Sequence, residues 1–295
     1  MKIIRTIQEM KSEVKRLKRE GGSLGFIPTM GALHEGHTSL FQRSADENDY
    51  TAASIFVNPL QFGPNEDLDA YPRSEQGDIA AADKHGVDLL FIPSVQEMYP
   101  RPMTTVIHVK NGADVLCGKS RPGHFDGVAT VVNKLLHIVP ADRAYFGRKD
   151  IQAAAVLTNM ISDYHLDTEL VICDTVREAS GLAKSSRNVY LSDSEKQEAA
   201  HIYKALTRAK ALWEKGERPQ ETVEVVKEHL NNSTTGRIDY VEALPFPSLD
   251  PLDTTSNMWV IACAVYFNKA RLIDNITVTA VSSYDQTGKK EKSHV

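Results

Sequence analysis

The chain has 295 residues, 41% hydrophobic and 25% charged, with 17 Gly and 13 Pro. That is globular composition, too apolar for a disordered chain and too poor in Gly and Pro for a fibrous one. With 34 Lys plus Arg against 39 Asp plus Glu the net charge is -5, which lacks the basic field that coating a nucleic acid depends on. Cys117, Cys173 and Cys263 are few and far apart, with no CxxC pair, so neither a disulfide framework nor a structural zinc site is expected.

In chain order, residues 1–20 carry Ile3, Ile4, Ile7, Met10, Val14 and Leu17 at helical spacing among charges. They read as an amphipathic surface helix without the unbroken apolar run of a signal peptide. No segment approaches the roughly 20 apolar residues that span a bilayer, and a soluble, reducing, cytoplasmic setting is expected. Apolar strand runs at 24–29, 52–57, 87–92, 144–146 and 170–173 alternate with helical patterns at 37–47, 75–85, 128–139 and 151–164. That alternation predicts an α/β fold, a Rossmann-like parallel sheet with helices on both faces, over residues 1–175. From 176 the order changes to a long helix starting at Asp193, a break at 216–219, a helix at 221–230, and strands at 238–244, 259–267 and 270–278. A smaller α+β domain over 176–284 is expected, with 285–295 a flexible polar tail.

In such sheets ligands bind beyond the carboxyl ends of the strands. There the sequence places PTMGALHEGH, with His34 and His37 flanking Gly36 where a helix should start. A helix N-terminus offers unpaired N–H groups to an anion. Gly36 lets a ligand approach the backbone, and the imidazole N–H groups can donate to developing phosphoryl charge. An i, i+3 pair with no third ligand in sight is unlike the HExxH of a metalloprotease, and no metal site is expected. The stretch 176–188 gathers Lys184, Ser185, Ser186 and Arg187 beside Gly181 in one mobile loop suited to closing over phosphates. YFGRKD puts Lys149 at a strand end as a phosphate binder, with Asp150 available to cap the following helix. Asn58 and Gln61 follow another strand and offer amides to a hydroxyl-rich acid, or merely stabilise a turn.

PTMGALHEGH, SIFVNPLQFGPNEDLDAYPR, SRPGHFDGVATVV, YFGRKD and GLAKSSRNVYLS, in this order and over nearly the whole chain, resemble the pantoate–β-alanine ligase family of the HxGH/KMSKS nucleotidyl transferases. The resemblance implies an ATP-dependent ligase that makes pantoyl adenylate and pyrophosphate, after which the β-alanine amine displaces AMP. It implies ATP binding by Met30, Gly31, Ala32, Leu33, His34, Glu35, Gly36 and His37, by Gly147, Arg148, Lys149, Asp150 and Val176, and by a lid of Lys184, Ser185, Ser186 and Arg187. His34, His37 and Lys149 take the catalytic roles, with His37 as proton donor. Gln61 touches pantoate and lies near β-alanine, Asn58 shapes that site, and Arg121 and His124 join the phosphate side. Magnesium comes with ATP as substrate, no tightly bound cofactor is implied, and the family forms homodimers.

The sequence departs from the family pattern at Ala153, where most members carry a Gln that holds pantoate; Gln152 faces another side of the helix. Two other adenylyl-transferring classes share the HxGH element. A dinucleotide-forming transferase has no use for the VNPLQFGP and RPGHF stretches, and an aminoacyl-tRNA synthetase sits poorly with the negative net charge. A nucleotide-binding sensor that has lost catalysis is the remaining alternative; it would bind ATP without releasing pyrophosphate.

Overall fold

A computed structural model describes residues 1–63, 68 and 71–280; the expected tail at 285–295 and part of the loop after Asn58 lie outside them. Nine strands are described: β1 Lys2–Ile4, β2 Leu24–Thr29, β3 Tyr50–Ile55, β4 Leu89–Phe91, β5 Arg143–Gly147, β6 Glu169–Cys173, β7 Arg237–Phe246, β8 Met258–Tyr266 and β9 Arg271–Thr279. The helices are α1 Ile7–Arg19, α2 Glu35–Glu47, α3 Glu75–Lys84, α4 Val95–Met98, α5 Leu116–Ser120, α6 His124–Ile138, α7 Ile151–Asp163, α8 Asp193–Trp213 and α9 Pro219–Ser233.

β1 to β6 form one parallel sheet in the order β1-β4-β3-β2-β5-β6. Side chains alternate across a strand, and neighbouring residues here serve two cores. Phe26, Ala52, Phe91 and Ala144 pack under α1, α6 and α7, whereas Ile27, Ala53, Leu90 and Tyr145 pack under α2 and α3. Burial on both faces explains why these strands read as continuous apolar runs. The expected α/β class, with helices on both faces, is the one observed.

The N-terminus differs from its expected form. Residues 2–4 are a strand paired with β4, and the helix begins only after Thr6, whose hydroxyl accepts the Glu9 N–H at 3.3 Å. Ile4 is buried and Ile3 exposed, an alternation too short to stand out from the helical pattern that follows. α6 starts four residues earlier than its apolar pattern suggested, because Gly123 at φ 79 turns the chain into it.

The C-terminal part is the expected α+β unit, with α8 and α9 covering the antiparallel sheet β7-β8-β9. Ser192 and Glu195 close a reciprocal capping box at the start of α8. A further apolar cluster joins the two parts: Leu116, Ile151 and Ala155 from the first pack on Leu244, Phe246, Val260 and Ala262 from the second. No helix among the described residues is long and apolar enough to cross a membrane.

Candidate active site

β2 is central, with β3 on one side and β5 on the other, so the turn leaving its carboxyl end sits where the strand order reverses. That turn is tightly built. Gly31 has φ 82 and Ala32 φ 51, both left-handed, and the Gly31 N–H donates to the Thr29 hydroxyl at 3.2 Å. The N–H groups of Ala32 and Leu33 both donate to the Asp78 carboxylate, at 3.0 and 2.8 Å. Asp78, from α3, is 4% exposed; a side chain on Gly31 would meet its Oδ2 at 2.8 Å.

The two histidines cap α2. His34 Nδ1 accepts the Gly36 N–H at 3.1 Å, and His37 Nδ1 accepts the His34 N–H at 3.3 Å. The N–H groups of His37 and Thr38 go to the His34 carbonyl. The expectation of bare amides at this terminus is therefore corrected: the N–H groups of 31–34 and 36–38 are all donated inside the protein. Because Nδ1 accepts in both rings, the proton sits on Nε2 in each. Burial above all, then the neighbouring Lys149, lowers the pKa of His34; burial and His34 push His37 down to about 3. Two neutral imidazoles, with ring centres 4.2 Å apart, thus cap the helix and each keep an Nε2–H as a donor.

A cavity of about 540 Å³ opens between α5, α6 and the start of α7 on one side and β7–β9 with the 182–190 stretch on the other; the histidine turn itself is not part of its lining. Arg121, His124, Lys149, Asp150, Ala153, Ser185, Ser186 and Arg187 line it, together with Phe62, Cys117, Tyr240, Arg271, Asp274 and Asn275. Lys149 lies on a 3-10 turn, Arg148–Asp150, that enters α7 from β5. Asp150 occupies the position before the helix but makes no capping hydrogen bond, which corrects that expectation. Its carboxylate instead faces Lys149 Nζ at 3.8 Å and is open to solvent. Burial of its surroundings opposes its charge, but Lys149 and Arg187 outweigh that and hold its pKa below the ordinary value.

Several expected ligand residues are placed otherwise. Arg148 is not on the cavity; it bonds Asp174 at 3.0 Å and Thr277 at 3.2 Å. Asn58 is 1% exposed and fully engaged, donating to Gly127 O and Gln61 Oε1 and accepting from Leu60 N–H and the Tyr99 hydroxyl. The turn-stabilising reading of Asn58 is thus realised, and it acts by holding Gln61. The Gln61 amide donates to Met30 Sδ at 2.9 Å, a weak acceptor that a better one displaces. His124 Nδ1 donates to the Gln61 carbonyl at 2.8 Å, leaving Nε2 to accept from Arg121 at 3.0 Å, so this pair props the Gln61 turn. Gln152 is buried, bonding Cys117 N–H, Gly112 O and Val115 O, and Ala153 alone of the two presents an uncommitted side chain to the cavity.

The 176–188 stretch is a hydrogen-bonded hairpin rather than an open loop. Lys184 N–H donates to Val176 O at 2.9 Å, and Arg177 bridges Ala183. Lys184 Nζ crosses to Glu35 Oε2 at 3.0 Å, closing the hairpin against α2. Sequence reasoning missed Asp78, Asp274 and Asn275. The polar pair inside the apolar run of β9 was the one available signal; Asp78 had none. Among the described residues no group of three or more His, Cys, Asp or Glu is placed to hold a metal ion.

A doubly wound sheet with a histidine-capped helix at its strand reversal, and a cavity in which Arg121, Lys149 and Arg187 face a second small sheet, make an α/β enzyme with a cleft suited to an anionic substrate. The chain belongs to the pantoate–β-alanine ligase family, whose model matches residues 2–277. It is 54% identical over 276 residues to the pantothenate synthetase of Geobacillus sp. (strain WCH70), covering 93% of this chain and 98% of that one. With the pantothenate synthetase of Caldicellulosiruptor bescii the identity is 52% over 281 residues, 95% of this chain and all of the other. The crystal structure of the Thermus thermophilus pantothenate synthetase superposes with a TM-score of 0.86 at 41% identity, over 94% of this chain and 99% of that one. The Francisella tularensis pantoate–β-alanine ligase, solved with Beta-gamma ATP and β-alanine, gives 0.76 at 36% identity, over 94% and 97%.

Proposed function

We infer that this chain joins pantoate to β-alanine with ATP, through pantoyl adenylate. The pantoate carboxylate oxygen bonds to the α-phosphorus and pyrophosphate leaves; the β-alanine nitrogen then bonds to the acyl carbon and AMP leaves. The carrying observation is the gathering of cations about the histidine cap: Lys149 acts electrostatically on both histidines, Lys184 pairs with Glu35 beside them, and Lys149 and Arg187 line one cavity with Ser185 and Ser186. The first step gathers negative charge around the α-phosphate, which donors already in place stabilise without rearranging. Lys149 and Arg187 supply cations, and the two Nε2–H groups supply neutral donors. His37, neutral before substrate binds, offers its Nε2–H as a hydrogen-bond donor. Lys184 exchanges Glu35 for phosphate, and Gln61 exchanges a thioether for the acid.

Magnesium enters with ATP and neutralises phosphate charge. One open carboxylate, Asp150, suits an ion that keeps most of its shell in water and phosphate. Three unpaired cysteines fit a reducing cytoplasm, and a homodimer is the assembly to test by sedimentation.

The test is to follow pyrophosphate, AMP and pantothenate from ATP, magnesium and pantoate, with and without β-alanine. AMP equal to pantothenate, and dependent on both acids, is expected. ATP binding with no product at saturating pantoate would overturn the ligase reading in favour of a sensor.

A further inference from the structure

We propose that Asp274 and Asn275, consecutive residues of β9, are positioning residues that set Lys149 and the basic 184–187 hairpin at their working separation across the cavity. The proposal rests on the ligase reading of the site. β9 is paired along its length with β8, Asp274 opposite Cys263 and Asn275 opposite Ala262, which makes it a rigid support. Successive side chains of a strand leave opposite faces, so the two grip different segments.

Asn275, 2% exposed, donates both amide hydrogens to the turn that carries the lysine, to Arg148 O at 2.8 Å and Lys149 O at 3.0 Å. Thr277, on the same face, accepts from Arg148 Nη1 at 3.2 Å, a second hold on that turn. Asp274, 4% exposed, takes the Arg177 fork with both oxygens, at 2.6 and 3.0 Å. Arg177 in turn donates to Gly181 O at 3.1 Å and stacks on the Tyr203 ring at 3.6 Å, which fixes the hairpin tip and so the place of Lys184 to Arg187.

Burying these polar groups in a strand whose neighbours Leu272 and Val278 join the apolar core is unfavourable, the more so because Asn275 Oδ1 is buried without a hydrogen-bond partner. An apolar pair would pack there at least as well. Both side chains spend their bonds on the two segments that bear phosphate-facing cations. The two variants should therefore fail differently, which a general packing role would not produce.

Asn275→Leu, close in shape, releases the lysine turn: pyrophosphate release should fall about 10- to 100-fold, as expected for a catalytic group displaced by about an ångström, with the KM for pantoate unchanged. Asp274→Asn loosens the hairpin while leaving Lys149 in place. Adenylation should slow, since Arg187 is on the hairpin, and acyl adenylate escapes to water, so that AMP exceeds pantothenate, which Asn275→Leu should not cause. Arg177→Lys keeps the charge without the fork and should give an intermediate ratio. Hydrogen exchange of the substrate-free enzyme supplies a readout independent of the reaction. The Lys184 N–H should exchange faster in Asp274→Asn and at the wild-type rate in Asn275→Leu. Equal AMP and pantothenate in every variant, with activity falling only with the folded fraction, would overturn the proposal. Exchange that behaves as expected in a protein that makes no pantothenate would sink the ligase reading while leaving the positioning intact.

Discussion

Lys184 on the hairpin and Glu35, the first residue of α2, hold one another beside the histidine cap, Nζ to Oε2 at 3.0 Å. Their side chains are 30% and 69% exposed, so the pair contributes at most about 1 kcal/mol. On the proposed reading of the site, an incoming triphosphate would meet a carboxylate where it needs a cation.

Glu35→Gln should therefore lower the KM for ATP, by up to about fivefold on that energy scale, and leave the KM for pantoate unchanged. Initial rates at varied ATP check this; a raised KM would mean that Glu35 aids nucleotide binding.

His37 makes the stability depend on acid. Its pKa lies near 3 in the folded chain and about 6.5 unfolded, so below pH 6.5 the unfolded chain takes up the proton first. The contribution is complete above pH 6.5 and is lost as pH falls toward 3, by up to about 1.4 kcal/mol per pH unit. Urea unfolding between pH 7 and pH 4 measures the slope. His37→Gln, which can keep the capping box, should flatten it and slow adenylation by about 10²- to 10³-fold for the lost donor.

Ala153→Gln would return an amide to the cavity wall. A hydrogen bond to pantoate is worth about 0.5–1.5 kcal/mol, so the KM for pantoate should fall by about 2- to 12-fold. An unchanged KM would show that the position makes no contact with the acid.

Asp78→Asn turns an NH2 group toward one of two buried N–H donors. A loss of about 1–3 kcal/mol in stability is expected, seen as a lower urea midpoint, together with slower adenylation as the Gly31–Ala32 turn relaxes.

The sequence made the parallel sheet legible because each central strand is buried on both faces and so reads as an unbroken apolar run. It made α8 legible through Ile202, Leu206, Ala209 and Trp213, which recur at helical spacing on one face. The three-residue β1 carries too few positions to show a period. Within RKD, side chains of a 3-10 turn point about 120° apart, and only the surrounding fold decides that Lys149 rather than Arg148 meets the cavity. Asn58 was legible as a turn residue but not as a buried one, since its partners Tyr99 and Gly127 come from distant segments. Residues proposed to bind through chemistry of their own, such as Lys149 and His37, left a pattern; residues that act by holding others, such as Asp78 and Asn275, are defined by contacts far away in sequence.

The strand order also governs how this enzyme comes off the ribosome. β2 takes one neighbour from residues 50–55 but must wait for Arg143 and Ala144 before its other edge is paired. Until then a nascent chain presents an open, apolar strand edge, the kind that templates aggregation. The histidine turn emerges early, yet Lys149, which completes its surroundings, follows only with the strand that closes that edge. Edge protection and the arrival of Lys149 beside the histidine turn therefore come in a single event, and fragments ending before residue 143 are expected to be both inactive and prone to self-association.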